Sequence, residues 1–197
     1  IFIWFTAETQ RPQRFFIKKF FLCALCVSAV RYRFNSLFTK EVFVKSYRAC
    51  HRSGIGFLEV AGNQQGILTI TFGADEFESD RDLPAPVAEC LRQLDEYFEG
   101  LRQKFSIPLL LEGTDFQKAV WLQLQKIPFG RTASYGDVAR AVGSPKAFRA
   151  VGNANNKNPV PLIIPCHRVI GSDGKLVGFG GGIWRKEWLL NHEKRFQ

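Results

Sequence analysis

The sequence predicts an α+β fold, in which a small N-terminal antiparallel sheet with one helix precedes a mainly helical C-terminal domain. Strand patterning is confined to residues 41–72 and surrounds a turn of glycine and amide residues at 62–66. Helical spacing of apolar residues prevails after Pro84. A chain of 197 residues with 46% hydrophobic content can form one compact domain or two small ones.

Residues 1–40 are expected to be a leader or a poorly ordered extension. The apolar run from Phe20 to Val30 follows several basic residues, an order that resembles a signal peptide. The run is shorter than the roughly 20 apolar residues that a membrane span needs. Because the chain contains no methionine and begins with Ile1, we rank an untranslated leader first, a poorly ordered extension second and an export signal third.

Residues 41–105 are predicted to form the N-terminal sheet-and-helix domain. Alternating apolar and polar residues predict one strand at Glu41–Tyr47, and two further strands at Gly56–Ala61 and Ile67–Phe72 flank the glycine turn. Apolar residues then repeat at helical spacing from Val87 to Phe98. This amphipathic helix is expected to pack on the sheet.

Residues 106–197 are predicted to form the C-terminal domain. Thr114 and Gln117 make a capping box ahead of its first helix. Ser134 caps a short second helix that is expected to end near Val142.

A helix-turn-helix is predicted within this domain. Gly143 turns the chain after the Ser134 helix, and Ser144 with Pro145 is expected to begin another helix that runs to about Asn155. Two short helices around a tight glycine turn are typical of this DNA-binding motif. A closing helix is predicted from Trp184 to His192.

Charge and cysteine usage narrow the class of protein. Lys and Arg total 27 against 18 acidic residues, and this net charge of +9 favours nucleic acid or an anionic membrane surface as a partner. Five cysteines form no even disulfide framework, so a cytoplasmic location is expected. Cys23 and Cys26 with Cys50-His51 form only a faint zinc pattern, and we predict no metal.

A reactive trio, Cys166-His167-Arg168, follows a proline-bounded apolar run at 160–165 that is predicted to be extended. A thiol becomes a useful nucleophile when a base takes its proton, and a carboxylate can orient that base. Cys166, His167 and Glu193 supply these groups. Adjacent side chains on a strand point to opposite faces, which favours a bridging water over direct proton transfer. Taken singly, a buried small hydrophobe and a structural imidazole explain Cys166 and His167 equally well.

A longer string around the trio resembles the active-site signature of the O6-alkylguanine-DNA alkyltransferases, also called methylated-DNA-protein-cysteine methyltransferases. The string is Asn158-Pro159-Val160-Pro161-Leu162-Ile163-Ile164-Pro165-Cys166-His167-Arg168-Val169-Ile170. The resemblance continues from about Thr114 to Glu193 and is faint over residues 41–105. It implies a ribonuclease H-like N-terminal domain, a helical DNA-binding C-terminal domain and no cofactor.

The resemblance also implies a reaction and roles for its residues. The reaction is DNA repair by irreversible, stoichiometric transfer of an alkyl group from O6-alkylguanine, and from O4-alkylthymine, to Cys166. His167 is implied to act as the water-mediated base and Glu193 to orient it. Asn158 is implied to fix the active-site turn, and Tyr135 to offer its hydroxyl to N3 of the leaving guanine.

Double-stranded DNA containing O6-alkylguanine is the partner that the resemblance implies, bound by a monomer through the minor groove with the target base flipped. Arg149 is implied to fill the space that the flipped nucleotide leaves. Ala150 and Gly152 are small enough for close approach to the groove, and Lys146 and Arg131 are candidate phosphate contacts. Without the resemblance, each of these is an ordinary helix or surface residue.

Three residues are implied to line the substrate pocket: Val169, Phe179 and Gly180. Phe179 stands where many members of the family have tyrosine, so the pocket keeps an aromatic wall and loses a hydroxyl. Phe148 is bulky where the family has a smaller residue, and the sequence leaves open whether it wedges into DNA or turns inward.

Three other functions remain open from the sequence. Alkyltransferase-like proteins recognise alkylated guanine without transfer, and they carry another residue, often tryptophan, in place of the cysteine. A cysteine hydrolase built on Cys166 and His167 would need an oxyanion hole. The hypothesis of a membrane-anchored basic protein is supported only by the apolar run at 20–30. A dinucleotide cofactor is set aside because Ile183 occupies a glycine position of G-x-G-x-x-G.

Overall fold

The fold is α+β, as the sequence predicts, and a computed structural model describes residues 45–73 and 75–197. In chain order the elements are β1 Tyr47–Ser53, β2 Gly56–Asn63, β3 Gly66–Phe72, α1 Ala85–Phe98, α2 Asp115–Leu124, β4 Ala133–Ser134, α3 Tyr135–Ala141, α4 Phe148–Asn156, a 3-10 helix Cys166–Arg168, β5 Val169–Ile170 and α5 Ile183–Arg195. The prediction for residues 1–40, with Cys23 and Cys26, falls outside the described residues. Within them, no helix is long and apolar enough to cross a membrane.

The three-stranded sheet is a meander in the order β1-β2-β3. Of the strand predicted at Glu41–Tyr47, residues 41–44 lie outside the described residues, and β1 begins at Tyr47. Every residue of β1 has a partner on β2, from the pair Tyr47↔Gly62 to the pair Ser53↔Gly56. The tight turn at Gly54-Ile55 therefore fixes the register of β1 on β2.

Helix α1 packs on this sheet with a fully buried face that includes Val87, Leu94 and Tyr97. Its end is a Schellman motif around Gly100, whose φ of 79° suits glycine. The amide of Leu101 donates to the Glu96 carbonyl at 2.8 Å, and the Gly100 amide donates to the Tyr97 carbonyl at 3.0 Å. Helix α1 is thus fixed in length, with Tyr97 facing inward near its last turn.

The outer edge of β3 joins the N-terminal half of the molecule to the rest. The Ile67 amide donates to Pro108 and the Ile67 carbonyl accepts from Leu110, at 2.9 and 2.8 Å. Further along the strand, the Ile70 amide donates to the Pro159 carbonyl at 2.9 Å. Pro108 and Leu110, which precede α2, and Pro159, which precedes Cys166, therefore form hydrogen bonds with a strand edge that would otherwise be unpaired.

Both predicted caps are present in the C-terminal half. Thr114 with Gln117 caps α2, and Ser134 with Asp137 caps α3, each in a complete capping box. The indole nitrogen of Trp121 donates to the Ala154 carbonyl at 2.8 Å and ties α2 to α4.

The two short helices α3 and α4 lie around Gly143, whose φ is 74°. The second helix was predicted to begin at Ser144-Pro145, and that start is wrong, because α4 begins at Phe148. The Ala147 amide donates to the Ser144 carbonyl at 2.8 Å and closes a separate turn first. Lys146 therefore lies in a turn before α4.

Candidate active site around Cys166

The segment before Cys166 is a compact turn, so the extended run predicted at 160–165 is wrong. The Ile164 amide donates back to the Val160 carbonyl at 3.0 Å. Asn158 clamps the turn, because its amide nitrogen donates to the Ile164 carbonyl at 2.8 Å and its carbonyl oxygen accepts from the Val160 amide at 3.0 Å. Leu162 takes a positive φ of 75°, a strained conformation that its burial and this clamp hold in place.

Cys166 begins the 3-10 helix that follows this turn and is only 4% exposed. It lies at a cavity of about 240 Å³. The cavity is lined by Ile70, Thr71, Phe72, Asn155, Asn156, Asn158, Pro161, Cys166, Phe179 and Gly180. Burial raises the pKa of the Cys166 thiol to about 11, although the Asn158 side chain and the Lys186 charge oppose this rise. The thiol is therefore protonated at neutral pH and needs a base to become a nucleophile.

His167 lies next to Cys166 on the same short helix and bonds to Glu193 of α5. Its Nε2 is 2.7 Å from Oε1 of Glu193, and both side chains are fully buried. Burial lowers the pKa of His167 and outweighs the carboxylate, which raises it. A neutral ring that donates from Nε2 carries its lone pair on Nδ1. That atom has no hydrogen-bond partner among the protein atoms of the described residues, so it is the available basic atom.

Glu193 is the centre of a buried network. Burial alone would raise its pKa, but hydrogen bonds and charge from His167 and Arg168 hold the pKa at about 2. Arg168 donates from Nε to Oε2 and from a terminal nitrogen to Oε1, each at 2.9 Å. The Tyr97 hydroxyl donates to Oε1 at 2.8 Å, and the Gly130 amide donates to Oε2 at 3.0 Å. The carboxylate is thus ionised and fixed in orientation.

Three members of this network were not predicted from the sequence: Arg168, Tyr97 and Gly130. Arg168 could have been found, since it adjoins His167 in the reactive trio and a buried carboxylate needs a cation. Nothing in the sequence pattern links Tyr97 or Gly130 to Glu193.

Lys186 of α5 is a further buried group near the thiol that sequence reasoning missed. Its ammonium donates to the Val177 and Gly178 carbonyls at 2.8 and 3.4 Å and is fully buried. Burial lowers its pKa to about 8, while the neighbouring Cys166 acts in the opposite direction. Lys186 thus anchors the glycine loop and places a positive charge close to the thiol.

Tyr135 is the first residue of α3, and its hydroxyl donates to the Val177 carbonyl at 3.1 Å. Burial and, to a lesser extent, electrostatic interaction with Cys166 raise the pKa of Tyr135. Gly152 of α4 faces the Tyr135 ring, where a Cβ would be 3.8 Å from Cε1, an ordinary contact distance. The structure therefore brings Tyr135 and Gly152 together, within electrostatic range of Cys166.

The other candidate DNA contacts lie on the surface. Arg149 and Ala150 on α4 are exposed, as are Lys146 in the preceding turn and Arg131. Phe148 is 50% exposed, with the Arg149 guanidinium 5.8 Å from its ring centroid. Of the two orientations left open for Phe148, the structure has the outward one.

Two of the three residues predicted for the pocket, Phe179 and Gly180, line the cavity at Cys166. Val169 is not among the residues that line the cavity. It is fully buried in β5, where it pairs with Ala133 of β4. The contribution of β3 was not predicted from the sequence, although its last residues, at 70–72, form one wall of the cavity.

Comparisons of this chain with family models and with known proteins indicate the same family. Residues 46–111 match the ribonuclease-like domain of 6-O-methylguanine DNA methyltransferase, and residues 115–195 match its DNA-binding domain. A methylated-DNA–protein-cysteine methyltransferase of Methanosarcina barkeri is 47% identical over 147 residues, 72% of this chain and 93% of the relative. The Mycobacterium leprae protein of the same name is 47% identical over 146 residues, 72% of this chain and 88% of the relative.

Solved structures agree with the sequence relatives. The O6-methylguanine methyltransferase of Mycobacterium tuberculosis superposes with a TM-score of 0.69 at 42% identity, covering 77% of this chain and 94% of that chain. The M. tuberculosis OGT in complex with DNA gives a TM-score of 0.68 at 43% identity, covering 75% and 92%. The chain therefore belongs to the 6-O-methylguanine DNA methyltransferase family.

Proposed function

We propose that this protein repairs DNA by moving the alkyl group of O6-alkylguanine onto the sulfur of Cys166, once per molecule. The observation that carries the proposal is a buried thiol at a cavity, next to a neutral histidine that an ionised carboxylate orients. Relatives named methylated-DNA–protein-cysteine methyltransferase and a relative solved in complex with DNA support it. The same chemistry extends to O4-alkylthymine, which also presents an alkylated oxygen.

The transfer balances without a cofactor. A bridging water carries the thiol proton of Cys166 to Nδ1 of His167, and the carboxylate of Glu193 stabilises the imidazolium that forms. The sulfur attacks the alkyl carbon in line, so an S–C bond forms while the C–O6 bond breaks. The electrons pass to the guanine, which takes up a proton from water while the His167 imidazolium returns one to water, and the restored base remains in the DNA. A thioether does not release the alkyl group, so the protein is consumed.

Charge near the reacting atoms supports this step. The buried ammonium of Lys186 lies where it stabilises the Cys166 thiolate, and a low local dielectric strengthens that attraction. The Tyr135 hydroxyl interacts electrostatically with Cys166 and would donate to the guanine as negative charge develops on it.

Replacement of Tyr135 by phenylalanine is expected to slow transfer by roughly 10- to 100-fold, because one hydrogen bond to the developing charge is lost. The ring and its packing against Gly152 remain, so affinity for DNA should be unchanged. Single-turnover kinetics with an O6-methylguanine duplex measure the rate, and fluorescence anisotropy measures the affinity. An unchanged rate would rule out this role for the hydroxyl.

DNA is proposed to bind through its minor groove on the face that carries α4, with a single protein molecule at each lesion. Cys166 is only 4% exposed, so a base stacked within a duplex cannot reach it and must be flipped out. Ala150 and Gly152 leave room for a backbone to approach, and Arg149 is exposed where it can enter the stack. Lys146 and Arg131 add phosphate contacts, consistent with the net charge of +9.

Replacement of Arg149 by alanine is expected to slow repair of duplex DNA by about tenfold, because flipping then leaves the gap in the stack unfilled. Reaction with the free base O6-benzylguanine needs no flipping and should keep its rate. The matched control is Lys118→Ala, which removes an exposed charge on α2. Equal losses on the duplex and on the free base would contradict the proposed role.

The function itself is tested by titration. A fixed amount of protein is incubated with increasing O6-methylguanine duplex, and restored guanine is quantified. We expect a plateau at one restored guanine per protein molecule. Continued turnover would indicate an enzyme of another kind, and tight binding without restored guanine would indicate a damage-recognition protein. Because Cys166 must stay reduced, we also propose that the protein works in the cytoplasm.

A further inference from the structure

The cavity at Cys166 has a wall that comes from the N-terminal half of the molecule. The Ile70 amide of β3 donates to the Pro159 carbonyl, which locks the strand edge to the active-site turn. Residues two apart on a strand share a face, so Phe72 follows Ile70 toward the cavity, and both line it. The sheet thus contributes directly to the substrate site.

The Phe72 ring is held by neighbours on several sides. Its centroid is 5.6 Å from that of Phe179, and the Arg185 guanidinium lies 5.2 Å from it. A Cβ on Gly181 would come within 2.6 Å of the Phe72 ring, so any residue larger than glycine at that position would clash with the ring. Phe72 is therefore a fixed part of the wall.

The chemistry of guanine indicates which part of the substrate meets this wall. N3 and O6 lie on opposite sides of the six-membered ring, so a base with N3 at Tyr135 directs its O6 substituent away from that residue. Tyr135 is not among the described residues that line the cavity. Atoms of the substituent beyond the reacting carbon would therefore extend into the cavity, between Pro161 and the two phenylalanines.

We infer that Phe72 is a specificity-determining residue, which limits the size of the O6 substituent that the protein accepts. The inference rests on the proposed function. A methyl group ends at the reacting carbon and does not reach the wall, whereas a benzyl group places a whole ring against Phe72. A smaller side chain at this position would enlarge the cavity and relieve that restriction.

The test compares duplexes that contain O6-methylguanine or O6-benzylguanine, using single-turnover rates. Phe72→Ala is expected to raise the ratio of the benzyl rate to the methyl rate by about tenfold. One contact in a hydrophobic pocket typically changes the discrimination between two substrates by about this factor. Phe72→Leu, which keeps an apolar side chain against Phe179, should give an intermediate ratio and guards against misfolding of the alanine variant. The control is Phe77→Ala, which removes an aromatic ring that packs against Arg48 and is not among the described lining residues.

Each outcome decides one point. A raised ratio in both Phe72 variants, with no change in Phe77→Ala, supports the inference. A ratio that stays at the wild-type value or falls in both Phe72 variants overturns it, while methyl transfer by the wild type leaves the proposed function standing. If the wild-type protein transfers neither group to Cys166, the proposed function itself fails.

Discussion

Replacement of Cys166 by alanine is expected to reduce alkyl transfer to an undetectable level, because no other thiol of the described residues is suited to attack. Cys90 is buried in α1, where burial raises its pKa to about 12. Cys50 is half-buried on β1, where its backbone lies opposite that of Glu59 on β2. Neither lines the cavity that contains Cys166.

The same substitution should leave DNA affinity nearly unchanged. The thiol is buried and contributes no charge, whereas binding to DNA depends mainly on phosphate contacts. Fluorescence anisotropy with an O6-methylguanine duplex measures affinity, and restored guanine measures transfer. Cys50→Ala serves as the matched control and should retain transfer. Transfer that persists without Cys166 would refute the assignment of the acceptor.

Glu193→Gln is expected to have the second largest effect, on both stability and rate. The substitution leaves the buried Arg168 guanidinium without its counter-charge, and loss of one partner of a buried pair typically costs about 3–5 kcal/mol. Transfer should slow by roughly 10²- to 10⁴-fold, because an amide stabilises the imidazolium of His167 poorly. Chemical denaturation and single-turnover kinetics measure the two effects. Glu187→Gln, an exposed change on the same helix, is the control.

The Glu193 network also makes stability depend on pH in a defined direction. The pKa of Glu193 is held at about 2, below its ordinary 4.5, so its contribution is complete above about pH 5 and is lost as the pH falls toward 2. Burial lowers the pKa of His167 from 6.5, so as the pH falls this residue takes up a proton in the unfolded chain before it does so in the folded protein. Acid therefore favours unfolding through His167 as well. The free energy of unfolding should therefore fall with acidification, and less steeply in Glu193→Gln. Equal pH slopes in both proteins would show that Glu193 does not carry this dependence.

Local signals were sufficient for most of the secondary structure. The turn at Gly62–Gly66 located β2 and β3, and the capping residues Thr114 and Ser134 located α2 and α3. The start of α4 was misplaced because a serine followed by proline signals a helix start, whereas here it opens a separate turn. Signals within one short segment cannot distinguish these two outcomes.

The active-site turn could not be predicted because its apolar, proline-bounded pattern is also typical of a buried strand. Its shape depends on the Asn158 side chain, which bonds to backbone atoms on both sides of the turn. The Tyr97 bond to Glu193 spans 96 residues, and Phe72 reaches the cavity only because β3 docks on the active-site turn. Such contacts exist only after the two halves have packed together.

The resemblance, rather than the residue pattern, singled out Tyr135 and Arg149. Each alone is an ordinary helix residue, and the structure adds that Tyr135 interacts electrostatically with Cys166 while Arg149 is exposed on α4. By contrast, Glu193 was chosen partly on chemical grounds, as the carboxylate that a cysteine–histidine pair requires. Its bond to His167 is present at 2.7 Å.

The most direct test of one-shot transfer to Cys166 is intact-protein mass spectrometry after incubation with an excess of O6-methylguanine duplex. We expect the mass of one added methyl group per molecule, located by peptide mapping on Cys166 and missing in Cys166→Ala. An unchanged mass in the wild-type protein despite binding, or a methyl group located on any other residue, would contradict it.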